Sequence, residues 1–160
     1  MKRFSALVVF ALLATLYFGC KPEPVFPAEP MLKFKKFVQP TNSDSLQVVF
    51  SFTDGDGDIG VALNSSDSNM VLTCYHKNTA GDWVVLPTGG PNLNDSLMYT
   101  YRIPKLAAGQ SGLEGDIYLT INKNLLVVSG NDTLQFNAFL LDQSHHKSEI
   151  VRTPEVDLVP

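Results

Sequence analysis

Asp54, Asp56 and Asp58 stand at alternate positions in the stretch Phe52-Thr53-Asp54-Gly55-Asp56-Gly57-Asp58-Ile59-Gly60. Glycine at 55, 57 and 60 lets the backbone enter positive φ, so the chain can curl and turn the three carboxylates towards one centre. Three like charges so close repel one another unless a cation, a positive side chain or water screens them. Calcium is the hard cation suited to such oxygen ligands. The Asp-x-Asp-x-Asp spacing is the first half of an EF-hand loop. The second half is missing, because the sixth and twelfth positions hold Ile59 and Ser65 where that loop needs Gly and Glu. A calcium site here must therefore borrow ligands from elsewhere, such as Asp67, Asp142, Asn64 or backbone carbonyls. The alternative is a metal-free polar turn with Ile59 tucked under a sheet, since Asp and Gly are ordinary turn residues. The sequence leaves both open.

Other residue types offer less. His76, His145 and His146 are the three histidines. Adjacent side chains in an extended chain point opposite ways, which makes His145-His146 a poor zinc pair without a cysteine cluster or a nearby Glu pair. Gly109-Gln110-Ser111-Gly112 lacks the Gly-x-Ser-x-Gly frame of a nucleophile elbow. Cys74 falls in phase with Met70 and Leu72 and reads as a small buried apolar residue. Trp83, Tyr99 and Tyr101, with Tyr75 and Tyr118, are candidates for a glycan platform, because an aromatic ring offers a broad apolar face with a polar handle. The plainer account of those rings is cross-strand packing.

The elements that must position these residues follow from period-two alternation. Strands are expected over Met31 to Val38 (Leu32, Phe34 and Val38 inward), Ser45 to Thr53, Asn69 to His76, Asp82 to Leu86, Leu97 to Ile103, Asp116 to Asn122, Thr133 to Asp142 and Ser148 to Leu158. Leu125 to Val128 adds a short apolar run, and Pro154 marks an edge or a bend in the last segment. Ala80-Gly81-Asp82 resembles a hairpin turn, and Pro87 to Asp95, rich in Gly, Pro and Asn, reads as loop. No stretch carries a helical apolar stripe. The expectation is an all-β chain: one sandwich of immunoglobulin or fibronectin type III style, with about seven to nine strands, over residues 31–160.

Ahead of that domain, Lys2 and Arg3 precede an almost wholly apolar run from Phe4 to Phe18, too short for a comfortable span, which needs about 20 apolar residues. The layout is that of a secretory signal peptide over residues 1–19. Gly19-Cys20 matches the end of a bacterial lipobox, which makes Cys20 the expected site of lipidation and the membrane an expected partner through the attached acyl chains. The alternative is ordinary secretion with a free Cys20. With 2 cysteines and one lipidated, no disulfide is expected. Residues 20–30 hold four prolines within Lys21 to Pro30 and read as a stiff tether. Loss of residues 1–19 removes two of the 12 basic residues and none of the 16 acidic ones, so the net charge becomes −6. That balance argues against a nucleic-acid partner.

Four pieces together resemble a group of Bacteroidetes-type envelope lipoproteins of uncharacterised function. They are Gly19-Cys20, the loop from Phe52 to Gly60, Tyr101-Arg102-Ile103-Pro104, and the run Asp142 to Val156 containing Thr153-Pro154-Glu155. The resemblance implies an extracytoplasmic β-sandwich, anchored in the envelope and most naturally in the outer membrane, and it carries no catalytic residues. His145-His146 departs from the smaller polar residues usual in that final loop. Three functional expectations follow. The first is a non-enzymatic lipid-anchored domain that binds or supports other proteins, with calcium at Asp54, Asp56 and Asp58, joined by Asp142. The second is an accessory glycan-binding lipoprotein using Trp83, Tyr99 and Tyr101. The third is a small hydrolase with paired carboxylates in a cleft.

Overall fold

The computed structural model describes residues 25–41, 43–87, 96–105, 112–126 and 133–158. The signal peptide, Cys20, the first part of the tether and most of the 87–95 loop lie outside the described residues. Among those described there are nine strands: β1 (Met31–Val38), β2 (Ser45–Asp54), β3 (Met70–Lys77), β4 (Trp83–Val85), β5 (Met98–Tyr101), β6 (Leu113–Asn122), β7 (Thr133–Leu140), β8 (Val151–Arg152) and β9 (Val156–Asp157). They form two antiparallel sheets. One has the order β1-β2-β6, and the other β4-β3-β7-β8, with β5 also on β3 and β9 also on β7. Among the described residues no helix is long and apolar enough to cross a membrane.

Alternation places one face of each sheet in a shared core. Leu46, Val48, Phe50 and Phe52 of β2 join Ile117, Leu119 and Ile121 of β6, and meet Met70, Leu72 and Cys74 of β3 with Leu134, Phe136, Ala138 and Leu140 of β7. The Phe37 and Phe136 rings, one from each sheet, lie 6.1 Å apart. Cys74 is buried and unbridged, and burial pushes its thiol up to about 12, which leaves it an inert core residue.

Three expectations change. In β1 the register shifts between Phe34 and Lys36, so Phe37 rather than Val38 comes to oppose Val48 on the inner face. One extra residue in a strand flips the phase of everything after it. β6 begins at Leu113, three residues earlier than expected, because Glu114 and Gly115 continue the ladder opposite Thr53 and Phe52. The closing segment splits into β8 and β9 around Pro154. There the Thr153 hydroxyl accepts a hydrogen bond from the Phe136 amide at 3.0 Å, standing in for the interrupted ladder. Of the apolar run at 125–128, the described part ends a 3-10 turn, Lys123–Leu125.

Candidate metal centre

β2 ends at Asp54 and delivers the acidic loop to one end of the sandwich. The loop is held on three sides. Ahead of it, the Gly55 amide donates to Pro27 O at 2.7 Å, and a Cβ at Gly55 would stand 2.2 Å from Phe26 O and 2.5 Å from Pro27 O, so only glycine fits. On its far side, Gly112 N donates to Gly55 O at 3.0 Å. At its exit, Ile59 bridges to Asp142, and Val61 bridges to Pro104 beyond β5. Gly60 makes that exit with φ +108°, its α-carbon packed so closely that a Cβ would lie 2.6 Å from Pro104 O.

Within this frame Asp54, Asp56 and Asp58 each present a ligand oxygen, all within 4.8 Å of one another. Their environments are graded: Asp54 is 0 % exposed, Asp58 is half-buried and Asp56 is exposed. Asp54 Oδ2 accepts the Ile59 amide at 3.2 Å, which closes the loop on itself. Asp54 Oδ1 and Asp58 Oδ1 are buried without a hydrogen-bond partner. Burial raises the Asp54 carboxyl above its ordinary value, the neighbouring Asp56 charge raises it further, and the Ile59 amide partly opposes the rise. An acidic cluster of this shape, with two buried oxygens unpaired, can hold a metal ion.

A second loop, which the sequence did not single out as support, braces Asp58. Gln143 Nε2 donates to Asp58 O at 2.8 Å, and the Ser144 hydroxyl donates to Asp58 Oδ2 at 2.8 Å. The only hint in the sequence is the polar run Asp142-Gln143-Ser144, whose spatial meaning depends on the Ile59–Asp142 bridge.

Asp142, expected as a fourth ligand, stands outside the cluster. Its Oδ1 accepts the His146 amide at 2.7 Å and its Oδ2 faces His146 Nδ1 at 2.8 Å, so both oxygens are already engaged. The hydrogen bond that its ring donates to Asp142, and the Asp142 charge, raise the His146 imidazole above its ordinary value, against an opposing effect of burial, with Glu29 and Asp56 adding to the rise. Asp67 is likewise local, accepting the Ser65 hydroxyl at 2.7 Å on an exposed turn. Asn64 is exposed.

Trp83 does not converge with Tyr99 and Tyr101, whereas Tyr75, which opposes Val85, shares the outer face of β3-β4 with it. Tyr99 and Tyr101 oppose Leu72 and Met70 of β3, on the core side, where their rings stack at 6.4 Å between centroids. Trp83 opposes Lys77, and Lys77 Nζ sits 5.1 Å from its ring on the outer side. Directly opposed residues share a face, so the sheet itself separates the tryptophan from the two tyrosines. The three form no common platform. Glu114 and Asp116 flank a shallow groove on the outer face of β1-β2-β6, with Lys33 and Ser51, and Asp116 is paired with Lys35.

No protein-family model matches this chain, and no curated protein matches it. Among solved structures, the crystal structure of wild-type OgpA from Akkermansia muciniphila is similar at 11 % identity and a TM-score of 0.39, over 89 % of this chain. The chain spans 34 % of that protein's length, and a likeness at this level bears on neither fold nor function.

Proposed function

We propose that this chain is a lipid-anchored, non-enzymatic module of the cell envelope, held in the outer membrane on its periplasmic or surface face. Its β-sandwich is of immunoglobulin or fibronectin type III style and serves protein contacts, and its Asp54-Asp56-Asp58 loop is stabilised by calcium. The sandwich style is supported by the way the chain crosses between the sheets after β2, after β5 and again after β6. The anchoring rests on the Gly19-Cys20 pattern and the proline-rich tether.

The observation that carries the calcium reading is the buried, unpartnered Asp54 Oδ1 at the base of the three-carboxylate cluster. A carboxylate in that position, beside a second carboxylate, is costly to ionise alone, and a divalent cation removes both the desolvation and the repulsion at once. Carboxylate oxygens backed by loop carbonyls and water are the ligand set of calcium rather than of softer metals.

Thermal melts of the full-length protein in detergent, with calcium and with chelator, test this. At a calcium concentration 100 times the Kd, binding to the folded state alone adds about 2.7 kcal/mol, which raises Tm by about 10 °C. Asp56→Asn, at the exposed rim, should lose most of that rise. Equal melting temperatures in both solutions would return the loop to an ordinary polar turn. Turnover of a polysaccharide or peptide that Glu114→Gln abolished would overturn the non-enzymatic reading.

A further inference from the structure

We propose that calcium in this loop fastens residues 25–30, the last part of the tether, onto the sandwich, so that the cation sets whether the segment entering β1 is held or free. The inference rests on the calcium reading above and adds to it a consequence for the chain's own N-terminal approach.

The geometry is specific to Gly55. It lies between two of the three carboxylates in sequence, and its peptide is gripped from both sides. Its amide donates to Pro27 O at 2.7 Å, and its carbonyl accepts from Gly112 N at 3.0 Å. Phe26 O and Pro27 O occupy the space a side chain at 55 would fill. The approach is therefore seated on the backbone of the acidic loop itself, one residue from Asp54 and one from Asp56. Where the three carboxylates face one another unscreened, their repulsion acts to open the loop, and any opening that parts Asp54 from Asp56 displaces the peptide between them. A cation that draws the carboxylates together holds Gly55 in the position that accepts the 25–30 segment. Coupling of this kind is reciprocal: a seated segment must strengthen cation binding by the same factor by which the cation strengthens seating.

The test uses full-length, nitrogen-15-labelled protein in detergent micelles. Heteronuclear NOE values are read at the Val25, Phe26, Ala28 and Glu29 amides in calcium chloride and in EGTA, with calcium affinity measured by calorimetry. The expected result is rigid amides in calcium and markedly lower values in EGTA. Gly55→Ala keeps every carboxylate but collides with Phe26 and Pro27. It should leave these amides mobile in both solutions and weaken calcium binding about 5-fold or more. If the wild type binds calcium with identical NOE values in the two solutions, or if folded Gly55→Ala binds calcium as the wild type does, the fastening is overturned while the calcium reading stands. If the wild type shows no heat of binding, the calcium reading falls and the fastening falls with it. Should Gly55→Ala not fold, the wild-type comparison decides alone.

Discussion

Asp142 holds His146 by two hydrogen bonds, one to its amide and one to Nδ1 of its ring, so that the turn between them closes on a buried carboxylate. His145 makes the turn possible by adopting φ 65°, which a non-glycine residue accepts only where the surroundings fix it. The partnership sets a pH dependence. The folded protein raises the His146 imidazole above its unfolded value, chiefly through the Asp142 hydrogen bond and charge. Its contribution to stability is therefore complete below the unfolded value of about 6.5 and is lost as pH rises through the higher folded value. In chelator, the melting-temperature gap between wild type and His146→Gln should be widest near pH 5.5 and shrink on the alkaline side. A gap that stays constant with pH would show that the ring's charge contributes nothing.

Asp54 makes the opposite kind of prediction. Its carboxyl is raised by burial first and by Asp56 second, so the folded state is penalised at every pH where it is ionised. Asn keeps an oxygen for the Ile59 amide and carries no charge. Asp54→Asn should therefore be more stable than wild type in chelator at pH 7, read as a higher midpoint in denaturant unfolding, and should be indifferent to calcium. A variant less stable than wild type in chelator would mean that the carboxylate has a favourable partner beyond the Ile59 amide without any metal.

Two glycines with positive φ separate strain from crowding. Gly81 has φ +89° and nothing within 4 Å of a Cβ position, whereas Gly60 has φ +108° and backbone atoms at 2.6 Å. Gly81→Ala should cost about 1–2 kcal/mol from backbone strain alone. Gly60→Ala carries the same kind of strain together with a backbone collision, and should cost clearly more and weaken calcium binding as the loop exit shifts. Equal costs at the two sites would show that the Pro104 contact yields easily.

In the core, Phe136 is fully buried and touches Phe37 across the sheets. Phe136→Ala should cost about 3–5 kcal/mol, against less than about 0.5 kcal/mol for Tyr118→Ala on the exposed face of β6. Chemical denaturation of both variants checks the contrast.

The strands were legible because their side chains alternate, and the acidic loop was legible because its three aspartates and three glycines are local. What escaped depended on counting across something the sequence does not show. The slip at Lys35 exchanges Phe37 for Val38 on the inner face, yet both are apolar and either phase reads equally well. Asp142 was matched to the loop by its carboxylate, while its use by His146 depends on a four-residue turn that competes for the same oxygens. The faces of Trp83 and Tyr99 could not be related by alternation, because β4 and β5 are separate strands that pair with the same edge of β3 on either side of Cys74. Leu86 N donates to Cys74 O and Cys74 N donates to Leu97 O.

That division of the β3 edge also decides what an optical experiment on this protein can see. The chain has one tryptophan. Trp83 pairs with Lys77 at one end of β3, while Met70, seven residues and about 23 Å away, lies at the end nearest the Ile59–Asp142 bridge. Its emission is a sentinel for the β3–β4 corner. A calcium titration followed by intrinsic fluorescence would stay flat while the opposite pole of the domain filled. The same signal would still report melting of the whole sandwich, through the loss of its cationic neighbour Lys77.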